Sequence, residues 1–327
     1  MKIWNYYLIV ILSISCFLDA YMIHQNEITR EWERENLDAF DEMIMSWNAI
    51  RPDSGRYLFY ASVKTEEWSP SLLYASWGSE GQQSFLNKSD FVRIYQDAIE
   101  ILDGRKATGF RIKIITEGNA SLDQIYHLHV YTNSDKELSP KKTVKCKSFI
   151  SLDVPGISQM TLSHIRNVDL CSPTSTTAVI RYLGNNHNID PLIFAFQAWD
   201  SGFDIFGNWV FNIAQASAEL GRLWNCWVER LCSFDDIYLK LQQEIPVIVS
   251  LRGPLPGSAL PYAKGHLMAV VGYDPGRQKV ICMDPAFPSH KETRVEYAFS
   301  EFVDAWSRRG NVAYIFNSSI TSTLKKG

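Results

Sequence analysis

Between about residues 40 and 147 the chain alternates short apolar runs with Gly, Ser, Asn and Asp. "RYLFYASVK" (56–64), "LLYASWG" (72–78), "FVRIYQDAIEIL" (91–102), "GFRIKIITEG" (109–118) and "QIYHLHVYTN" (124–133) each read as a strand. In the last two, polar and apolar residues alternate, so that Phe110, Ile112 and Ile114 share one face, as a half-buried strand requires. Strands of this length separated by turn residues predict a β-sandwich over 40–147. After the last of these strands, "SDKELSPKKTVKCKS" (134–148) is polar and basic and reads as a linker. Beyond it the period changes. Apolar positions at helical spacing run from Cys171 to Leu183, with Gly184 as the stop, from Trp209 to Leu220, and near Phe234 to Gln243. Strands follow at "PVIVSL" (246–251), "HLMAVVGY" (266–273), "KVICMD" (279–284) and "VAYIF" (312–316). Helices followed by an antiparallel sheet predict an α+β domain over 148–317 behind the all-β one.

Two places in this second domain carry reactive side chains. Cys171 begins its helix, followed by Ser172 and by Pro173, which is favoured in a first turn because no intrahelical donor is lost there. The unpaired N–H groups and the positive end of the helix dipole favour thiolate over thiol at that point. A small buried cysteine capping a core helix is the competing reading. The stretch "GHLMAVVGYDPGRQKVICMDP" reads as a hairpin turning at Asp274, Pro275 and Gly276, with His266 opening one strand and Asp284 closing the other. A hairpin centred on Pro275 sets these two directly opposite on one face, with Cβ atoms ~5 Å apart. A slip of one residue would separate them. A carboxylate that holds one imidazole N–H leaves the other ring nitrogen for a thiol.

The stretch from about Val154 to Phe316 resembles the C39-like cysteine peptidases, a papain-like group. The resemblance rests on "SQ" (158–159), "CSPTS" (171–175), "GNWVFNIAQA" (207–216), "GHLMAVVGYD" (265–274), "MDP" (283–285) and "FVDAW" (302–306). "SWNA" (46–49) and the strands after it look like the β-rich domain that precedes the peptidase in some members. The resemblance implies a papain-like domain in which a helix carrying Cys packs on an antiparallel sheet carrying His and Asp. It implies Cys171 as nucleophile, His266 as base, Asp284 as the residue orienting it, and Gln159 as an oxyanion donor. It also implies a peptide or protein substrate and no cofactor. Ser172 stands where many members have glycine. The double-glycine leader substrate of transporter-linked members does not carry over, since the chain has no Walker phosphate loop and no bundle of membrane helices. An amidase or transamidase could use the same three residues, and a binding module could keep the scaffold without the chemistry.

The chain has 327 residues, enough for roughly two domains, and a formal net charge of −4, which gives no case for nucleic acid. "MKIWNYYLIVILSISCFLDA" (1–20) has one lysine before an apolar run too short for the roughly 20 residues that cross a bilayer. It predicts a cleaved export signal, with an uncleaved N-terminal anchor as the alternative, hence a periplasmic, cell-surface or extracellular protein with no integral membrane domain after cleavage. Cleavage leaves Cys146, Cys171, Cys226, Cys232 and Cys282, an odd set in which Cys226 and Cys232 are close enough in sequence to pair. Asn208 reads as a helix cap, Trp209 and Phe211 as core, and Asp200 as a candidate cleft residue. His127 and His129 share a face but lack a third metal ligand. Trp47, Trp68 and Trp77 suggest either sandwich core or a surface for contact with a glycan or the cell envelope. Neither HExxH nor GxSxG occurs.

Overall fold

The computed structural model describes residues 20–24, 30–133 and 148–319. The export signal up to residue 19, linker residues 134–147 and Cys146 therefore lie outside the described residues. Among those described, no helix is long and apolar enough to cross a membrane.

The first half is all β. Its strands are β1 (Ala20–His24), β2 (Glu31–Phe40), β3 (Glu42–Ala49), β4 (Gly55–Lys64), β5 (Leu72–Gly78), β6 (Gly81–Ser84), β7 (Asn87–Lys88), β8 (Val92–Tyr95), β9 (Ala98–Ile101), β10 (Ala107–Gly118) and β11 (Ile125–Asn133). They form two sheets, ordered β1-β11-β3-β9-β8-β7 and β2-β10-β4-β5-β6. Trp47 of β3 joins the sheets, stacking on Phe59 of β4 at 4.2 Å and meeting Trp77 of β5 edge-on at 6.4 Å. The alternation in β10 has the expected result: Phe110, Ile112 and Ile114 are buried, while Lys113 and Ile115 are exposed. Three expectations change. The sandwich begins before residue 40, because β1 and β2 belong to its sheets. Residues 91–102 form two strands, since Gln96 takes φ 54° and turns β8 back into β9. Trp47 and Trp77 are fully buried in the core, so neither offers a ring to a glycan; Trp68, half-buried, lies under the Arg111 guanidinium at 4.3 Å.

The second half holds β12 (Ile150–Ser151), α1 (Cys171–Gly184), α2 (Pro191–Ala198), α3 (Trp209–Leu220), β13 (Trp224–Arg230), α4 (Phe234–Leu241), β14 (Val247–Leu251), β15 (His266–Asp274), β16 (Lys279–Met283), β17 (Arg294–Ala298), α5 (Phe299–Ser307) and β18 (Val312–Ser318). One sheet runs β13-β18-β14-β15-β16-β17, with β12 paired to β15. Helix α1 packs between this sheet and helices α2 and α3, and its residues Ser172 to Ile180 are all buried. A helix that polar tolerates burial because the hydroxyls of Ser172, Ser175, Thr176 and Thr177 bond inside the protein, leaving only that of Thr174 without a partner. Thr176 and Thr177 donate to the carbonyls of Ser172 and Pro173, each at 2.8 Å. The helix ends one residue later than expected, because Asn185 rather than Gly184 takes the left-handed cap, at φ 48° and ψ 38°.

The halves are joined by polar contacts. Edge strand β13 turns N–H and C=O groups toward β3, and side chains answer them. Asn48 donates to the carbonyl of Cys226 at 2.6 Å and accepts from its N–H at 2.8 Å. Ser46 accepts from Val228 N–H at 3.0 Å, and Glu42 holds Arg230 through two oxygens at 2.6 and 2.9 Å. Arg51, over the Trp77 ring, donates to Gly78, Gln82, Gln197 and Gln215. Asp200 is fully buried, accepting from Ser84 N–H at 3.0 Å and from Asn208 at 2.9 Å, so it is a joint between the halves rather than a cleft residue.

Candidate active site

Cys171 is the first residue of α1, and Leu170 before it supplies no side-chain cap. The first N–H groups of the helix are therefore left for other acceptors. Ser175, one turn on, donates to the carbonyl of Leu267 at 3.1 Å, which pins α1 to the start of β15 where His266 stands. The Cys171 thiol and the His266 ring face each other and set each other's charge. His266 Nε2 faces Asp284 Oδ1 at 2.8 Å, so Nδ1 is the nitrogen left for the thiol.

The hairpin makes this contact differently from the expected register. Lys279, Val280 and Ile281 pair with Asp274, Tyr273 and Gly272; then a bulge intervenes, and Cys282 and Met283 pair with Val270 and Ala269. His266 itself pairs with Leu251 of β14. Carried past β16, the register sets Asp284 opposite Met268, so His266 is its diagonal neighbour on the same face, not its direct partner. The bulge decides the face. Without its extra residue, Asp284 would align with the opposite side of β15. Position 272, beside the bulge, is glycine because β12 runs so close that a Cβ there would stand 2.3 Å from the Ile150 carbonyl oxygen.

Two tyrosines absent from the expected set complete the site. Tyr262 and Tyr297 donate to Asp284 Oδ2 at 2.7 and 2.6 Å, while Oδ1 also accepts Ala286 N–H at 3.0 Å. The ring of Tyr262 lies flat on the imidazole of His266, with centroids 3.9 Å apart and planes at 8°. Tyr262 holds φ 52°, a costly conformation for a bulky residue, of the kind that clusters at functional sites. Tyr297 had a faint signal: it shares a face of β17 with Val295, and a buried tyrosine needs a partner for its hydroxyl.

The charges follow from these contacts. Burial opposes ionisation of Asp284, but His266, Tyr297 and Tyr262 outweigh it and hold the carboxyl below its usual range. Burial pulls the His266 imidazolium down, yet Asp284 and Cys171 overcome that and push it up to about 10. Burial raises the Cys171 thiol, but His266 and the N–H groups of Leu267 and Ser172 bring it net below its ordinary value. The three groups suit a thiolate beside an imidazolium, backed by a carboxylate.

Gln159 is fully buried, and its amide protons go to the carbonyls of Asn167 at 3.0 Å and Val168 at 2.8 Å. Its backbone N–H reaches the Pro285 carbonyl at 2.8 Å. It ties the turn before Cys171 to the strand end carrying Asp284, and in this conformation neither amide proton is free for an oxyanion. Asn208 caps α3, accepting from Phe211 N–H at 3.1 Å. Cys226 is a free, buried thiol in β13, so it forms no bridge with Cys232. His129 is buried, stacked on Trp227 at 4.9 Å, and burial lowers its pKa to about 3, leaving a neutral core ring.

No curated protein matches this chain at a significant level. A solved structure from Bacillus anthracis, described as a C39-like peptidase, is 17% identical, and the match covers 53% of this chain and 100% of that one at a TM-score of 0.40. A likeness of that size does not fix a fold by itself. Residues 151–314, half of the chain and all of the site just described, match the Peptidase_C39 like family, and the protein belongs to that family.

Proposed function

We propose that the protein is an exported cysteine peptidase that cleaves peptide or isopeptide bonds through an acyl-enzyme. The observation that carries this reading is His266 held between Cys171, at an uncapped helix start, and a fully buried Asp284. The Cys171 thiolate attacks the carbonyl carbon, forming a C–S bond as the carbonyl electrons move onto oxygen. That oxygen is met by the N–H groups of the first turn of α1. Gln159 joins as a donor by exchanging one of its two carbonyl partners for the oxyanion. As the intermediate collapses, the C–N bond breaks and His266 gives its proton to the leaving amine. His266 then takes a proton from water, whose oxygen displaces the thiolate and releases the acid. Asp284 keeps the ring oriented and the imidazolium stable throughout.

A substrate-profiling screen comparing wild type with Cys171→Ala tests this. Wild type should release peptide fragments that the variant does not, with water as the acyl acceptor in product masses. Products carrying an added amine would replace hydrolysis with transfer. Equal profiles for the two proteins would refute peptidase action. For export, the mature N-terminus should lie near Tyr21, and intact Met1 on the exported protein would contradict cleavage.

A further inference from the structure

Just beyond α5, Arg309 reaches toward the reactive pair. Its guanidinium lies against Gly265, the residue before His266: a Cβ there would stand 3.4 Å from Nε and 3.5 Å from Cζ and Nη2. It also lies 5.6 Å from the ring centre of Trp209, the first residue of α3. Contacts thus run from Cys171 through His266 and Gly265 to Arg309 and Trp209. All of these except His266 are partly open to solvent.

Among the described residues, no carboxylate lies within ion-pair distance of this guanidinium. Its Nε is buried without a hydrogen-bond partner. Two further guanidiniums face it, Arg252 and Arg230, of which Arg230 is already held by Glu42. Asp97 is the carboxyl that faces it, but its Oδ1 accepts Trp209 N–H at 2.8 Å. Burial pushes Asp97 up to about 8, so it is largely protonated at neutral pH. The Tyr314 hydroxyl, also nearby, is buried and engaged with Ser172 at 2.9 Å. An unpaired guanidinium stripped of much of its water is expensive unless a partner arrives.

We infer that Arg309 is a specificity-determining residue that takes a carboxylate of the substrate beside the scissile bond. This rests on the peptidase reading and adds the chemical class of substrate. Guanidinium matches carboxylate through paired N–H···O bonds, and the indole of Trp209 offers an apolar wall that strengthens them. The carboxylate is either an acidic side chain or a free chain terminus.

The test uses the full-length protein and two sets of probes. The first is matched peptidyl acyloxymethyl ketones carrying Glu, Gln or Lys at each of the three positions nearest the warhead. The second is short peptides with a free or amidated C-terminus, competing with iodoacetamide for Cys171. An acidic-side-chain site gives labelling at least about tenfold faster with Glu than with Gln, the size of a lost charge-assisted bond. That preference should vanish in Arg309→Gln and pass to Lys in Arg309→Glu, with circular dichroism confirming that both fold. A terminal-carboxylate site gives protection by the free-acid peptide, not by its amide, and loses it in Arg309→Gln. Equal behaviour of every probe, with Cys171 still alkylating in mildly acidic solution, overturns the subsite and leaves the nucleophile standing. If Cys171 does not alkylate there at all, both readings fall.

Discussion

Replacing Asp284 with asparagine tests the charge logic of the site, because it removes a charge and keeps the shape. The imidazolium of His266 stands above its ordinary pKa through Asp284 first and Cys171 second, against burial that pulls the other way. Two unit charges about 4 Å apart attract by about 4 kcal/mol at an effective dielectric of 20. That is worth up to about 3 pKa units. The carboxylate is already shared among His266, Tyr262, Tyr297 and Ala286, which spreads its charge, so a shift of at least about 1 unit is the expected floor. The sign is fixed. Without Asp284 the imidazolium loses its largest support, the proton passes from His266 back to the thiol, and the thiolate forms only at higher pH. The assay is the rate of Cys171 alkylation by iodoacetamide between pH 4 and 10, read by peptide mass spectrometry. Wild type should reach half its maximal rate well below the free-cysteine value of ~8.5, and Asp284→Asn should reach it at least about one unit later. Removing the ring in His266→Ala should move the midpoint furthest. Coincident midpoints for wild type and Asp284→Asn, in a variant with native circular dichroism, would refute the coupling.

Three further outcomes are expected. Glu42→Gln leaves Arg230 unpaired at the junction of the halves, so urea unfolding should show a loss of about 3 kcal/mol; a change near zero would mean that the ion pair holds nothing together. Asp97, pushed up to about 8 mainly by burial, contributes stability that is present below its unfolded value and lost as pH rises through about 8. Urea midpoints of wild type should therefore fall relative to Asp97→Asn between pH 5 and 8, and parallel curves would contradict this. Burial raises the Cys226 and Cys282 thiols, so both should resist iodoacetamide until denaturant is added, while Cys171 reacts in the native protein.

What could be read from the chain followed from how each side chain is buried. Strand β10 alternates because one face meets the core, and its end at Gly118 and its inward residues were legible, while its start at Ala107 lies two residues before the one expected. Strand β3 is buried at every position, against the other sheet on one side and against α3 and β13 on the other, so its run shows no period of two and only "SWNA" pointed to it. Cys171, His266 and Asp284 were legible because each stands at the end of an element that the sequence marks clearly. Their register was not, since a bulge leaves no trace in the spacing of "HLMAVVGYD". Tyr262 was hidden in an irregular loop, and the duty of Gln159 depends on carbonyls of a turn whose path no local pattern dictates. Arg230, Asn48 and Arg51 could be matched to their partners only after folding had joined the two halves.

The bulge in β15 also governs which changes of length this hairpin can absorb. Residues added at the turn around Pro275 would lengthen the loop and leave the pairing of Val270 with Cys282 as it is. One residue removed from the bulge would rotate the outgoing strand by half a turn, sending the side chains of His266 to Val270 to opposite faces of a strand buried on both sides and carrying His266 away from Asp284. Length variants of this segment should therefore divide sharply. Those altered at the tip should keep a reactive Cys171, and those altered by a single residue between Val270 and Gly272 should lose it, whatever the residue removed.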